Sequence, residues 1–207
     1  MTLTAAFSPS WESRDPNAKV VVMMHGYGSN ERDLPSLAPF LPADLPWVSL
    51  RAPIAMGYDG YAWFHLPDGD WLRQGPIEEA TVQVWEWIDT NVSANAPIAA
   101  LGFSQGGLMA SQLLRTRPDR VTDTVILAGF VLETPQPGDA ALAAARPPVF
   151  WGRGAADAVI PLEHIASAHE FLSAHTSLEE RVYPGLAHSI TAEEMGHARE
   201  YLQRDSL

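Results

Sequence analysis

Ile98-Ala99-Ala100-Leu101-Gly102-Phe103-Ser104-Gln105-Gly106-Gly107-Leu108-Met109 is the stretch on which the reading of the whole chain turns. Its first part is an unbroken apolar run, which predicts a strand over residues 97–102 buried on both faces. Its last part opens an apolar segment of helical spacing over residues 105–117, stopped by Pro118. Between the two stands Gly102-Phe103-Ser104-Gln105-Gly106, a Gly-x-Ser-x-Gly pattern. A serine on so sharp a strand-to-helix turn is held in strained backbone geometry with its hydroxyl presented outward, and glycines two positions to either side leave room for that close passage. The helix opening at Gln105 brings free N–H groups and the positive end of its dipole beside the hydroxyl. Ser104 is therefore expected to be a nucleophile.

Outward from this turn, further apolar runs rich in β-branched residues predict strands over 19–25, 47–51, 122–128, 148–151 and 180–183. Segments with helical spacing lie between them. Ile77, Thr81, Val84, Trp85 and Ile88 share one face, with Pro76 suited to a first turn. Leu162, Ile165, His169 and Leu172 repeat the spacing, and residues 193–204 predict a C-terminal helix. Strands alternating with helices imply an α/β fold with a mostly parallel central sheet and helices on both faces. In such sheets ligands gather at the carboxyl ends of the strands, so chemistry is sought just after each strand.

A serine hydroxyl is a weak nucleophile, so a histidine must take its proton and a carboxylate must hold that histidine in the right tautomer. After a Gly-x-Ser-x-Gly turn these partners follow in the order acid, then histidine. Beyond Asp123 the aspartates are Asp139, Asp157 and Asp205, and only Asp157 directly follows a strand, in Trp151-Gly152-Arg153-Gly154-Ala155-Ala156-Asp157. The bland alternative for Asp157 is a helix cap. Of the later histidines, His164, His169 and His175 fall on one predicted helix and His197 on another. His188, in Tyr183-Pro184-Gly185-Leu186-Ala187-His188-Ser189, sits in a loop after the last strand, where a side chain can swing over the strand ends. His188 is the expected general base.

His25-Gly26-Tyr27-Gly28 closes the first long strand at the same end of the sheet. Its glycines let N–H groups turn inward, and the N–H groups of Tyr27 and Gln105 are the expected oxyanion donors. Residues 52–75 carry Tyr58, Tyr61, Trp63, Phe64 and Trp71 with little periodicity and read as a loop. Trp63 and Phe64 are the candidates for walling an apolar acyl pocket, with simple core anchoring as the equal alternative. The proline- and alanine-rich residues 132–146 read as a small cap.

Composition narrows the field. The 207 residues, 46% of them hydrophobic, suit a single domain over 1–207. There is no cysteine, which excludes disulfides, thiolate nucleophiles and thiolate metal sites. No His-Glu-x-x-His or clustered ligand set points to a metal, and the chemistry calls for no cofactor. A formal net charge of −12, from 25 acidic and 13 basic side chains, repels nucleic acid and anionic lipid surfaces. Without a basic, apolar leader or a long apolar run the expected location is cytoplasmic, with no stable membrane insertion.

These residues together resemble the carboxylesterase/phospholipase branch of the α/β-hydrolases, the group that includes acyl-protein thioesterases. The likeness covers nearly the whole chain. It rests on His25-Gly26-Tyr27-Gly28-Ser29-Asn30 with Asp33-Leu34, Arg51-Ala52-Pro53, Trp63-Phe64, the Ser104 turn, Gly154 to Pro161, and Gly185 with His188. It implies an α/β-hydrolase fold, Ser104, Asp157 and His188 as the triad, and Tyr27 and Gln105 as oxyanion donors. Arg153-Gly154 departs from the His-Gly that is common there, altering charge near the acid. The implied activity is hydrolysis of carboxylic esters of short-to-medium acyl length through an acyl-enzyme, with lysophospholipids or thioesters as alternatives. A small-molecule ester is the implied partner, the chain acting as monomer or homodimer. A catalytically silent ligand-binding module is the rival class, and it would show a broken triad or oxyanion loop.

Overall fold

The computed structural model describes residues 3–66 and 72–204. In chain order it holds β1 (Ala5–Phe7), β2 (Val20–Met24), a 3-10 helix (Leu34–Phe40), β3 (Trp47–Leu50), β4 (Ile54–Gly57), β5 (Gly60–Ala62), α1 (Gln74–Asn91), β6 (Ile98–Phe103), α2 (Gln105–Thr116), β7 (Val121–Leu127), α3 (Asp139–Ala145), β8 (Pro148–Gly154), α4 (Leu162–His175), β9 (Ser177–Tyr183) and α5 (Ala192–Leu202). Seven strands pair in the order β1-β3-β2-β6-β7-β8-β9. All neighbours run parallel except β1, which lies antiparallel on β3. This is the mostly parallel, helix-covered sheet of an α/β-hydrolase fold.

The apolar runs do not alternate because both faces of the sheet are covered. In β2, Val20, Val22 and Met24 enter one core with α1, α2 and α4, while Val21 and Met23 enter another with α5 and Leu34. Successive side chains on a strand point to opposite faces, so a strand with helices on both sides must be apolar at every position. On α1, Ile77, Ala80, Thr81, Val84, Trp85 and Ile88 are all buried, and the Trp85 indole N–H donates to Thr116 Oγ1 at 2.8 Å, fixing α1 against α2.

Strand order reverses between β2 and β6: the chain steps one way from β2 to β3 and the other way from β6 onward. Such a switch point leaves a crevice at the carboxyl ends. His25-Gly26-Tyr27 follows β2 there, and Ser104 follows β6.

Two stretches carry more structure than their sequence shows. Residues 52–75, read as a loop, contain the β4–β5 hairpin, whose Tyr58 and Asp59 hold positive φ at its tip. Residues 132–146 contain α3, pinned by Arg115 of α2, which donates to Asp139 at 2.7 and 2.8 Å. Trp71 and Asp205 lie outside the described residues.

One buried group has no role in holding the fold by hydrogen bonds. Glu194, third residue of α5, is 0% exposed, and neither carboxyl oxygen has a hydrogen-bond partner among the described residues. Its carboxyl sits where a Cβ on Gly152 would be, 2.1 Å from Oε1, so the glycine makes the space it occupies. Burial pushes its pKa up to about 7, opposed only in part by the nearby backbone at Thr191. The folded chain thus keeps a proton that the unfolded chain releases near 4.5. The contribution to stability is greatest below that value, falls as pH rises to about 7, and is flat beyond, a loss of roughly 3 kcal/mol. Glu194→Gln is expected to match the wild type near pH 4 and exceed it at pH 8.5 by up to this amount, read as the difference in Tm at the two pH values. An unchanged pH slope in the variant would contradict this.

Candidate active site

Ser104 closes β6 and opens α2 with φ 56° and ψ −116°, a conformation that L-residues avoid. Its N–H donates to Leu127 O at 2.8 Å, and its own carbonyl accepts from Gly107 N–H at 2.9 Å. The turn is thereby tied to β7 on one side and to the first turn of α2 on the other. The hydroxyl is held at the tip, 2.8 Å from His188 Nε2.

His188 reaches it from the loop between β9 and α5. Its Nδ1 lies 2.7 Å from Asp157 Oδ2. A carboxylate only accepts, so Nδ1 carries the proton and Nε2 is left to accept from Ser104 Oγ–H. The imidazole also packs on the Phe103 ring at 4.9 Å between centroids. Asp157 follows β8, its side chain 2% exposed. Its other oxygen accepts from the N–H groups of Val159 at 2.8 Å and Ile160 at 3.3 Å, which folds the loop before α4 around the carboxylate; α4 itself opens at Pro161 without a side-chain cap, so Asp157 is not its helix cap. Three stretches up to 84 residues apart in sequence meet here.

The four other histidines that follow Asp157 are engaged elsewhere. His169 Nδ1 pairs with Glu180 at 2.8 Å, His175 Nδ1 donates to Phe171 O, and His197 Nδ1 meets the Tyr183 hydroxyl at 3.0 Å. His164 stacks on Phe130. Arg153, the departure noted before the acid, donates to Glu180 Oε1 at 2.9 Å, so its charge is met by a carboxylate of β9 and not by a group of the cleft.

The loop after β2 lies against the Ser104 turn. A Cβ on Gly26 would be 3.5 Å from Ser104 Cβ. Gly28, at φ +78°, makes the turn that follows Tyr27 in a conformation that suits glycine. Among the described residues neither Tyr27 N–H nor Gln105 N–H has a hydrogen-bond acceptor. Burial pushes the His25 imidazole below its usual pKa and keeps it neutral. Ala52 N–H donates to its Nε2 at 3.1 Å, so Nδ1 carries the hydrogen and donates to Gly26 O at 2.8 Å. In a trans peptide the carbonyl and the next N–H point in opposite directions. Holding Gly26 O therefore aims Tyr27 N–H the other way. Arg51 adds a bidentate pair to Glu31 at 2.6 and 2.7 Å, joining this loop to the end of β3. These roles of His25, Arg51 and Ala52 were signalled in sequence only by the His25-Gly26 and Arg51-Ala52-Pro53 clusters.

Ser104, His188, Tyr27 and Gln105 border one cleft of about 260 Å³, walled by Leu66, Phe103, Phe130 and Val159. Trp63 and Phe64 are not among its walls. Each is 1% exposed and belongs to the core beneath the site, which corrects the pocket-wall expectation in favour of core anchoring. The reason is polar as well as apolar: Trp63 N–H and Phe64 O are both taken by the Gln105 side chain, which fixes that segment inward. Leu66, Phe130 and Val159 escaped sequence reading because no periodicity marks them. Two larger depressions, of about 340 and 400 Å³, lie beside α4 and between α1 and α2, away from Ser104, so size alone does not mark the site.

Comparison with known proteins gives the family and the fold. Residues 11–206 match the phospholipase/carboxylesterase family. The chain is 26% identical to the probable inactive carboxylesterase Os04g0669700 of Oryza sativa subsp. japonica, over 93% of this chain and 86% of that one. It is 24% identical to acyl-protein thioesterase 1 of Kluyveromyces lactis, over 91% and 92%. The crystal structure of the Bacillus cereus carboxylesterase has the same fold, with a TM-score of 0.80 at 20% identity, covering 97% of this chain and 93% of that one. With a family match running through nearly all of a chain whose sheet carries a serine turn at its switch point, this protein belongs to the phospholipase/carboxylesterase family of α/β-hydrolases.

Proposed function

We propose that this protein is a serine esterase that cleaves carboxylic esters through an acyl-enzyme at Ser104. The observation that carries the reading is one imidazole that accepts from the Ser104 hydroxyl at 2.8 Å and donates to Asp157 Oδ2 at 2.7 Å. Ser104 Oγ attacks the ester carbonyl carbon as its proton passes to His188 Nε2. Asp157 stabilises the imidazolium and keeps its orientation. The carbonyl oxygen, now anionic, is met by the N–H groups of Tyr27 and Gln105. Collapse breaks the bond to the leaving alcohol, which takes the proton from His188, and the acyl group stays on Ser104. Water then attacks with His188 as base, releasing the acid and restoring the serine. No cofactor enters these steps.

The cleft supports short-to-medium acyl chains. Leu66, Phe103, Phe130 and Val159 supply apolar walls beside the polar Ser29 and Asp33, and its volume lies below the roughly 300–1,000 Å³ of pockets for drug-sized ligands. The same steps serve a thioester or a lysophospholipid. The intact bonding of Ser104, His188 and Asp157 speaks against a silent binding module. No helix among the described residues is long and apolar enough to cross a membrane.

The test is a panel of p-nitrophenyl esters of increasing acyl length, run beside labelling by a fluorophosphonate with the modified peptide identified by mass. Turnover that peaks at short chains and a label on the peptide holding Ser104 are expected. An unlabelled chain with no turnover of any ester or thioester would overturn the reading.

A further inference from the structure

The two oxyanion donors belong to different strands' ends, and a buried polar bridge joins them from behind. Gln105, whose N–H is one donor, turns its side chain away from the cleft. Its Oε1 accepts from Trp63 N–H at 2.8 Å and its Nε2 donates to Phe64 O at 2.7 Å. The Trp63 indole N–H then donates to His25 O at 2.9 Å. That carbonyl belongs to the peptide leading into Gly26, one residue before Tyr27, whose N–H is the other donor. Gln105, Trp63, Phe64 and His25 are each at most 1% exposed.

We propose that Trp63 and the Gln105 side chain are positioning residues, forming a hydrogen-bonded strut that sets the separation and aim of the Tyr27 and Gln105 N–H groups. This rests on the esterase reading above. The physical reason is that the donors have no direct bond to one another. Gln105 rides on α2 and Tyr27 on the loop after β2, so their relative placement would otherwise follow the play between a helix and a loop. Burial strengthens each bond and makes its loss costly, so the strut holds one length. Donors aimed in advance at the developing charge act without reorganisation during the reaction, and small misplacements of such groups lower rates steeply. Trp63 does this without touching substrate. Its ring packs in the core and against the His25 imidazole, 5.6 Å between centroids, and its indole N–H makes its hydrogen bond to the donor loop.

Trp63→Phe keeps an aromatic ring in the core and deletes the indole N–H. It is expected to lower kcat for a short-chain p-nitrophenyl ester by about 10- to 100-fold, less than the about 10² to 10³ of losing a donor outright, with KM changed less than about twofold. The affinity for an alkyl trifluoromethyl ketone, whose adduct places an oxyanion between the donors, should fall by the same factor as kcat/KM. Gln105→Met, which retains the backbone N–H, should give the same signature. Trp85→Phe is the control, since Trp85 is also buried and bonded through its indole, to Thr116, remote from the cleft. It should leave kcat unchanged.

Active sites are counted in each variant with a fluorophosphonate, so that rates refer to folded enzyme. Full kcat per site in both Trp63→Phe and Gln105→Met would overturn the strut. So would a loss in kcat with no matching loss of ketone affinity. If the wild type itself neither turns over esters nor labels at Ser104, it is the esterase reading that has failed.

Discussion

Ser104→Ala is expected to lower turnover of a short-chain p-nitrophenyl ester by roughly 10⁵- to 10⁶-fold while the protein still folds, the scale on which removing a nucleophilic serine acts in serine hydrolases. The residual rate is expected from the proposed donors and the cleft, which the substitution leaves in place. A second variant separates chemistry from backbone. Both Ser104→Ala and Ser104→Gly lose the hydroxyl and its bond to His188, but only glycine accepts φ 56°, ψ −116° without strain. Such strain costs about 1–3 kcal/mol, and glycine returns part of this through the entropy of the unfolded chain. Ser104→Gly should therefore be more stable than Ser104→Ala by about 1 kcal/mol, or roughly 2–4 °C in Tm for a chain of this size. Full activity in either variant would remove Ser104 from the mechanism. An alanine variant the more stable of the two would show that the turn stores no strain.

Gly106→Ala is expected to have the largest effect on stability. A Cβ at this position would lie 1.8 Å from Met24 O and 2.7 Å from His25 O, both backbone atoms at the end of β2. No rotamer change relieves a clash between two backbones. α2 would have to move away from β2, carrying Gln105 and Ser104 with it and opening the tightly packed interface behind them. Ordinary overpacking costs about 1–3 kcal/mol, and a backbone clash of this depth belongs with the exceptional losses above about 4 kcal/mol. That is a large share of the 5–15 kcal/mol by which proteins are stable. Urea unfolding should show it as a fall in midpoint, and the folded remainder should have reduced kcat because the donor on α2 has shifted. Gly196→Ala is the contrast. Gly196 lies inside α5 with nothing within 4 Å of a new Cβ, so alanine should stabilise by about 0.5–1 kcal/mol through helix propensity alone. Near-equal stability of the wild type and Gly106→Ala would mean that α2 is free to slide.

The strands at 20–24, 47–50, 98–103 and 121–127, and the first part of β8 over 148–151, were legible because a strand covered on both faces must be apolar at each step. β9 was only half legible: its first residues, Ser177-Leu178-Glu179, are polar in part because β9 is the outer strand, open on one edge. β1 was not legible at all. Three residues are too short for a periodic signal, and its place comes from pairing with β3. The placing of Asp157 and His188 beside Ser104 followed from chain order and from loops at strand ends. Trp63 and Phe64 resisted, since in an aperiodic segment nothing local tells which way an aromatic side chain turns.

By itself, the sequence determined the parallel, two-faced sheet, the sharp turn at Ser104 and which acid and histidine lie at the same end. These are matters of local steric demand and burial period, which short stretches of residues specify. Only the tertiary structure decided that Trp63 turns inward to His25, that Gln105 reaches across 42 residues of sequence to hold it, and that Glu194 is sealed against Gly152. Each of these depends on a partner brought close by folding, and a buried polar group takes its direction from that partner rather than from its neighbours along the chain.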